Sequence, residues 1–366
     1  MQIDVTSRID SIRDDWKKLQ SQGGPYLFQT IEWVEHWLHT AGELQRIKPF
    51  LLSIRQKKNY EPVLILPLGI RTIAGIRILT FLGGFHADYS GIVKNPNLNL
   101  SNIDLWEVII DEAKKNHVDG VWIRNIPSEV GGRPNPLNTQ GCTLLDKAPS
   151  INLTGSWEDF YNTRIKTKVR ADSRRQRKRL SELGSLSFRV AKSNDEAMIL
   201  TKIMVAQKQF RYDEMGIKNQ FKDQANIDFY VKCGSDRKGP SPHISALFLN
   251  DRVLSVHWGE VFNGRFYYLM PSHDPEWDKY SPGRLLLEHL IEWSFTNNLN
   301  VFDFTVGGEA YKYDWATHEM PLYEYKHALT EKGMIFLKFG GVYKDRIRQG
   351  IQMIKKRLFN KICGDL

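Results

Sequence analysis

The chain has 366 residues, of which 41% are hydrophobic and 25% charged, as in an ordinary soluble globular protein. Its length favours two domains rather than one. The three cysteines, Cys142, Cys233 and Cys363, are far apart, so they indicate neither a disulfide framework nor a zinc site and favour a reducing compartment.

The net charge of +9 is concentrated in two segments. Arg164–Arg179 carries nine basic residues and one acid, and Lys338–Lys361 carries eight and one. Cofactor phosphates, an acidic glycan, anionic lipid or nucleic acid are the partners that such segments can bind. The amino terminus lacks an apolar signal core, and the longest apolar run, Val63–Ile70, is too short to span a bilayer. We predict a cytoplasmic protein, with peripheral attachment at the inner face of the membrane left open.

The first part of the chain is predicted to form an α/β unit that ends near residue 150. Residues 1–45 carry apolar side chains at helical spacing and are predicted to be helical. Residues 130–140, rich in Gly, Pro and Asn, predict a linker or a long turn. Between them the pattern predicts strands at Phe50–Ile54, Val63–Ile70, Ile76–Leu82, Gly91–Val93 and Val121–Arg124, and a helix at Ile103–Asn116 capped by Ser101.

His86 and Asp88 follow the turn at Gly83-Gly84. The residues favour a loop in which both side chains satisfy the local backbone. A supporting role at a cleft shared by the two halves is the alternative.

A long helix is predicted to begin at Ser156, with Asp159 in a capping-box position and Gly184 just past its end. Its apolar stripe is thin and basic side chains surround it, so it is either a solvated surface helix or an anion-binding arm. No aromatic residue interrupts Arg164–Arg179, which does not support base stacking.

Two helices and an antiparallel meander are predicted next. The helices are Ala197–Phe210 and Asn226–Cys233, and the meander strands are Ile244–Leu249, Val253–Val261 and Arg265–Met270.

The meander leads into a strand–helix–strand unit. Ser281 is predicted as the N-cap of the helix and Pro282 as its first residue, and Val301–Val306 is the next strand. One crossover makes the two strands parallel, so the loops that follow them open on one edge of the sheet, where α/β proteins bind ligands. The start of the helix, with Gly283 and Arg284, either holds a phosphate or only begins a core helix.

Pro321–Leu329 is predicted as the last strand, and the tail that follows is a basic amphipathic helix. Such a helix either docks on its own protein or lies on an anionic membrane.

Four stretches, RADSRRQRKRLSELG, LNDRVLSVHWGEVFNGRFYYL, YSPGRLLLEHLIEW and FDFTVGGEAYKYDW, resemble the GNAT-related acyltransferases of the cellulose-biosynthesis (CelD/BcsL) type. They cover about residues 155–330. FQTIEWVEHW, LPLGIR and GGFHADYSG are similar to the degenerate first domain of that family. Transferases of the Fem type also carry two GNAT-like halves, and they transfer amino acids from aminoacyl-tRNA.

The resemblance implies an α/β (α+β) fold of tandem GNAT-like domains, each a mixed, mostly antiparallel sheet flanked by helices. The expected divisions are a degenerate domain at residues 1–150, an acyltransferase domain at 151–330 and a basic tail at 331–366. It also implies that acetyl-CoA or another acyl-CoA binds as a substrate. The implied binding positions for its pyrophosphate are Tyr280, Ser281, Gly283, Arg284 and Leu285.

Acyl transfer to an amine needs a base, and three residues are candidates. Asp303 and Glu309 are carboxylates at the predicted edge of the cleft, although Asp303 can equally be structural. His257 has the most suitable intrinsic pKa, and its alternative is a core histidine.

Three further side chains of the same loop are candidates for other steps. Tyr311 or Tyr313 can protonate the departing thiolate. Lys312 can bind an acidic acceptor, pair with Glu309 or be solvated. The nearby cluster of His273, Asp274, Glu276 and Asp278 is more typical of a turn than of a metal site.

We therefore predict an N-acyltransferase acting on a small-molecule or glycan amine, with an amino sugar in polysaccharide biosynthesis as the acceptor that the resemblance implies. The alternatives are a Fem-like transferase that uses aminoacyl-tRNA and a non-catalytic partner of a polysaccharide synthase. Nucleic acid is expected as a partner only in the tRNA alternative, and an anionic membrane is a candidate partner of the tail.

Overall fold

The computed structural model describes residues 1–96 and 104–339. The predicted cap Ser101, Cys363 and the tail from residue 340 lie outside the described residues. The strands are β1 (Gln2–Thr6), β2 (Lys48–Arg55), β3 (Pro62–Ile73), β4 (Ile76–Phe81), β5 (Val93–Lys94), β6 (Gly120–Pro127), β7 (Glu129–Val130), β8 (Arg133–Pro134), β9 (Thr143–Asn152), β10 (Leu186–Val190), β11 (Ser241–Leu249), β12 (Arg252–Phe262), β13 (Arg265–His273), β14 (Val301–Asp303) and β15 (His318–Ala328). The α-helices are α1 (Arg13–Ser21), α2 (Ile31–Trp37), α3 (Glu43–Gln45), α4 (Leu105–Lys115), α5 (Trp157–Thr163), α6 (Thr167–Ser181), α7 (Asn194–Glu214), α8 (Gln224–Ser235) and α9 (Pro282–Thr296), and residues 331–339 are also helical.

One large sheet carries both halves of the chain. Its order is β1-β2-β3-β4-β6-β15-β9-β14-β13-β12-β11-β10, with β5 paired to β3. In the first half, the antiparallel meander β2-β3-β4 leads through α4 to β6, which is parallel to β4. In the second half, β11-β12-β13 leads through α9 to β14, which is parallel to β13. The repeated plan confirms the predicted tandem fold.

The two halves exchange strands at the middle of the sheet. β9 ends the first half in sequence but pairs with β14 of the second half, while β15 follows the second half and pairs with β6 of the first. β9 and β15 also pair with each other. The predicted boundary at residue 150 falls inside β9, and the division into domains stays a prediction.

The predicted parallel pair is confirmed, and it splits open at one end. Residues 265–267 of β13 pair with residues 301–303 of β14, so both strands end at the same edge of the sheet. β14 ends at Asp303 rather than at Val306, because Thr305 has a left-handed backbone (φ 58°) that turns the chain away. Beyond Tyr267, β13 has no described strand partner on the β14 side, and we call the region between the two separating strands the cleft.

Two sequence predictions are corrected. Gln2–Thr6 forms a strand rather than a helix, because its alternating Ile3 and Val5 match the register of β2. The long helix predicted from Ser156 is two helices, although the Ser156 hydroxyl caps the first as predicted, accepting from the backbone N–H of Asp159 at 3.1 Å. The break between α5 and α6 places Ile165 in the apolar core beneath α9.

Apolar packing fixes both faces of the sheet around the cleft. α9 buries Leu286 and Leu290 against Phe266 and Phe302 on one face. On the other face, α2 of the first half and α8 of the second share a single core. No described helix is long and apolar enough to cross a bilayer.

Candidate active site

Asp303, at the end of β14, is a structural carboxylate that joins the two halves. Its Oδ1 accepts hydrogen bonds from the Tyr89 hydroxyl at 2.7 Å and the Thr305 backbone N–H at 2.8 Å. Its Oδ2 accepts from Arg265 Nη1 at 2.8 Å, and the residue is only 1% exposed. Of the two predicted roles for Asp303, these contacts favour the structural one.

Lys312 holds the loop that follows β14. Its Nζ donates to the carbonyl oxygens of Phe304 and Val306 at 3.1 and 3.2 Å and pairs with the Glu309 carboxylate at 2.9 Å. An ammonium has three donors, so none is left for an acidic acceptor, and the predicted pairing with Glu309 is the observed one. Burial alone would raise the pKa of Glu309, but the hydrogen bond and charge of Lys312 hold it below its usual value, which makes Glu309 a weak base.

Asp88 lies against this loop, although it belongs to the first half of the chain. The Thr305 side chain lies close enough to this carboxyl to act on its pKa, and so do the charges of Lys312, Asp303 and Glu309. Burial raises the pKa of Asp88 to about 6, with the two neighbouring carboxylates adding to the rise and Thr305 and Lys312 opposing it. A carboxyl with that pKa can accept a proton near neutral pH. The structure therefore favours the cleft role that the sequence left as the alternative.

Lys208 of α7, which is not among the predicted site residues, also faces this cluster. Burial lowers the pKa of its ammonium to about 8, helped by the charge of Arg211 and opposed by Glu309. A sequence signal existed: Lys208 follows the buried Thr201 and Met204 at helical spacing, so it lies on the inward face of α7.

Tyr311 brings a proton donor to the cleft. Its side chain lies near that of Tyr268 on β13, in the stretch of that strand that β14 leaves unpaired. Burial, together with the charge of Glu309, raises the pKa of Tyr311 to about 12, so it keeps its proton. Tyr313 instead lies near Lys147 and Glu319.

His257 lies in the core beneath α9 and not in the cleft. Its ring is fully buried, stacks on Tyr268 at 4.8 Å and lies 5.3 Å from Phe266. Neither ring nitrogen has a hydrogen-bond partner among the described residues. Burial, with a smaller effect of His243, lowers the pKa of His257 well below its usual value. A neutral, buried ring matches the alternative that His257 is a core histidine. It differs from most core histidines because it lacks a hydrogen bond to a described residue.

The start of α9 differs from the predicted N-cap. Ser281 has a left-handed backbone (φ 52°), and its side chain makes no capping hydrogen bond. Its carbonyl, rather than its hydroxyl, accepts from the N–H groups of Arg284 and Leu285 at 3.1 and 3.3 Å. The Ser281 N–H itself donates to Asp278. The N–H groups of Ser281, Arg284 and Leu285 thus have acceptors, whereas that of Gly283 has none among the described residues.

Basic side chains surround the start of α9. Arg284 forms an ion pair with Asp172 of α6, and the Arg179 guanidinium lies 4.7 Å from the ring centre of Tyr280. A Cβ added to Gly283 would find no atom nearer than 3.6 Å, so the space above that residue is open. The Leu285 side chain is buried, which leaves only its backbone near this surface. The pyrophosphate site stays a prediction.

The residues just before α9 form a turn closed by ion pairs. The Asp274 side chain accepts from the Glu276 N–H at 3.1 Å, and Arg252 pairs with both carboxylates. His273 pairs with Asp278. These contacts match the interpretation of this cluster as a turn.

Residues 167–313 match the model of a family described as an acetyltransferase (GNAT) domain. The matched region contains α6, the β13–α9–β14 unit and the loop held by Lys312, while Asp88 lies outside it. The match supports the predicted acyltransferase activity. The cellulose-biosynthesis subtype stays a prediction.

Solved structures share the fold over nearly the whole chain. A crystal structure of FemX is 11% identical with a TM-score of 0.62, over 93% of this chain and 100% of that one. The C-terminal domain of a putative lysylphosphatidylglycerol synthetase from Agrobacterium fabrum is 8% identical (TM-score 0.55, 90% and 96% covered), and L-PGS from Bacillus licheniformis is 9% identical (0.53, 85% and 90%). At such identities the likeness is one of fold alone. A sequence search of curated proteins found no match.

Proposed function

We propose that the chain is an N-acyltransferase that moves an acyl group from acyl-CoA to an amine at the cleft between β13 and β14. The observation that carries this proposal is the position of Asp88 beside Thr305, just past the carboxyl end of β14, where burial raises the pKa of its carboxyl to about 6. A base with that pKa can take a proton from an amine near neutral pH.

Direct transfer needs no nucleophile from the protein. The ammonium of the acceptor gives one proton to Asp88, and its nitrogen attacks the thioester carbon. The C–S bond breaks, and the thiolate takes a proton from Tyr311. The amide nitrogen then gives its second proton to the Tyr311 phenolate, and Asp88 releases the first to solvent. Cys142 and Cys233 are the cysteines in the described part, and burial raises the pKa of both thiols, which does not favour a covalent route.

The donor is proposed to place its phosphates over the start of α9. Gly283 offers an amide and open space there, and Arg284, Arg175 and Arg179 offer positive charge. The acceptor proposed from the resemblance is an amino sugar used in polysaccharide biosynthesis. Attachment of the tail to an anionic membrane stays a separate proposal, and sedimentation with anionic vesicles tests it.

The test measures thiol release from acetyl-CoA by the full chain with a panel of amines. We expect Asp88→Asn to lower the rate by about 10²–10⁴-fold, the usual contribution of a general base. Asp195→Asn on the exposed start of α7 makes the same change away from the cleft and should leave the rate unchanged. Gly283→Trp should fill the space above the start of α9 and raise the KM for acetyl-CoA. A wild-type rate in Asp88→Asn would contradict the assignment of the base.

A second candidate is transfer from aminoacyl-tRNA, and one observation favours it. Lys168, Arg174 and Lys178 are exposed on α6, and the described residues provide no ion-pair partner for any of them. Such a face can bind the phosphates of an RNA backbone, with an affinity that falls steeply as salt rises. Transfer from aminoacyl-tRNA without binding of acetyl-CoA would select this candidate. No turnover with either donor would leave the non-catalytic alternative.

A further inference from the structure

A cavity of about 280 Å³ lies beside Asp303, on the face of the sheet opposite α9. Alternate residues of β9, β14 and β15 line it, together with Arg265 of β13 and with Tyr89 and Glu129 of the first half. At roughly 30 Å³ for each water, the space equals about nine waters, which suits a molecule the size of a hexose.

The lining of the cavity holds hydrogen-bonding groups with capacity to spare. Arg265 spends Nη1 on Asp303, and its Nε and Nη2 have no partner among the described residues. Its guanidinium also lies 5.4 Å from the ring centre of Tyr26, which fixes its direction. The side chains of Ser150 and Asn152 likewise have no hydrogen-bond partner in the described part of the chain. Several separate donors and acceptors around one space suit a ligand with several hydroxyl groups.

The charges of the lining select among such ligands. Asp303 offsets the charge of Arg265, and both belong to one ion pair at 2.8 Å. Glu129 adds a further carboxylate, and the described residues provide no cation that pairs with it. His318 lies at the exposed rim. An anionic ligand would therefore meet two carboxylates, whereas an ammonium would find Glu129 available.

We propose that this cavity binds a sugar-sized polyhydroxylated molecule and prefers an amine-bearing ring to a neutral one and a neutral ring to an acidic one. The site goes beyond the proposed acyl transfer, because Asp88 does not line the cavity and binding needs no acyl donor. Contact with the cleft passes through Asp303 to Thr305 and from Thr305 to Asp88.

The test is calorimetric titration of the full chain with D-glucosamine, D-glucose and D-glucuronate as probes. Glu129→Gln removes one charge from a partly buried side chain, and Glu182→Gln makes the same change on the exposed end of α6. Val301→Phe fills the cavity from a partly exposed position on β14. Thermal denaturation of each variant shows that it is folded before binding is compared.

We expect glucosamine to bind more tightly than glucose, and glucose more tightly than glucuronate. Glu129→Gln should raise the Kd for glucosamine by about fivefold or more and keep the Kd for glucose within about twofold of the wild type, since only the charged contact is lost. Val301→Phe should weaken both by about tenfold or more, because it fills the volume that a ring needs. Glu182→Gln should match the wild type.

Three results would overturn the inference: no binding of any probe, tightest binding of glucuronate, or unchanged glucosamine binding in Val301→Phe. Sugar binding as expected without any acyl transfer would remove the proposed function and leave this site standing. If no sugar binds, but the chain transfers an acyl group to another amine at a rate that Val301→Phe does not change, the proposed function stands and this site is refuted.

Discussion

The contact most open to a quantitative test is the one that Asp303 makes across the two halves. Asp303→Asn keeps the shape of the side chain but removes its charge. The amide nitrogen must then face either Arg265 or the Tyr89 hydroxyl and Thr305 N–H, all of which are donors in the native protein. One donor set loses its acceptor in either orientation, and a guanidinium with 22% side-chain exposure loses its counter-charge.

The expected cost is about 3 kcal/mol of unfolding free energy. Breaking a buried ion pair costs about 3–5 kcal/mol, and access of Arg265 to the neighbouring cavity places this case at the lower end. Arg265→Met should remove part of the penalty, since it removes the orphaned cation. In a double-mutant cycle we expect a coupling of about 2 kcal/mol between the two positions.

Urea denaturation followed by tryptophan fluorescence and by circular dichroism measures these values. Asp314→Asn is the matched control. Asp314 pairs with Lys166 at 3.0 Å, and the Lys166 side chain is 71% exposed, so the change should cost less than about 1 kcal/mol. Equal costs for the two variants, with no coupling to Arg265, would refute the structural role of Asp303.

Three further outcomes are expected. Asp88→Asn should stabilise the protein by about 1–2 kcal/mol at pH 8 and by almost nothing at pH 4. The pKa of Asp88 rises on folding to about 6, so its ionisation destabilises the folded protein as the pH rises through that value, and urea midpoints at the two pH values check this. Lys312→Met should cost about 2–3 kcal/mol, read as a lower Tm by calorimetry, because two loop carbonyls lose their donor; an unchanged Tm would count against the loop-holding role. Gly307→Ala should cost about 1–3 kcal/mol, since φ is 126° and the new Cβ would lie 2.5 Å from Glu309 Oε2, whereas Gly155→Ala, at φ 76° with open space, should cost about 1 kcal/mol. Equal urea midpoints for the two variants would show that the Glu309 side chain moves away from the new methyl group.

Local chemistry made the second half of the fold predictable. Asn263-Gly264 marks the last turn of the meander, and Pro282 marks the first residue of α9, where the structure has it. The parallel pairing of β13 and β14 followed from a single crossover, and it is present.

Features that depend on residues far apart in the chain could not be predicted from local sequence patterns. Residues 143–152 of β9 carry no clean alternation, and their neighbours in the sheet come from the end of the chain. Asp88 reaches Thr305 only because a loop of the first half extends to the second. A hydroxyl before a helix usually caps it, so the sequence predicts a side-chain cap at Ser281. The preceding turn instead gives Ser281 a left-handed backbone.

The exchange of β9 and β15 has a consequence for how the protein is made. When the first half leaves the ribosome, the edge of β6 has no neighbour, because β15 is among the last described parts of the chain to be synthesised. A bare strand edge invites pairing with the wrong chain. We expect truncated nascent chains that stop before residue 318 to aggregate or recruit chaperones, and release of the completed chain to close the sheet in one step.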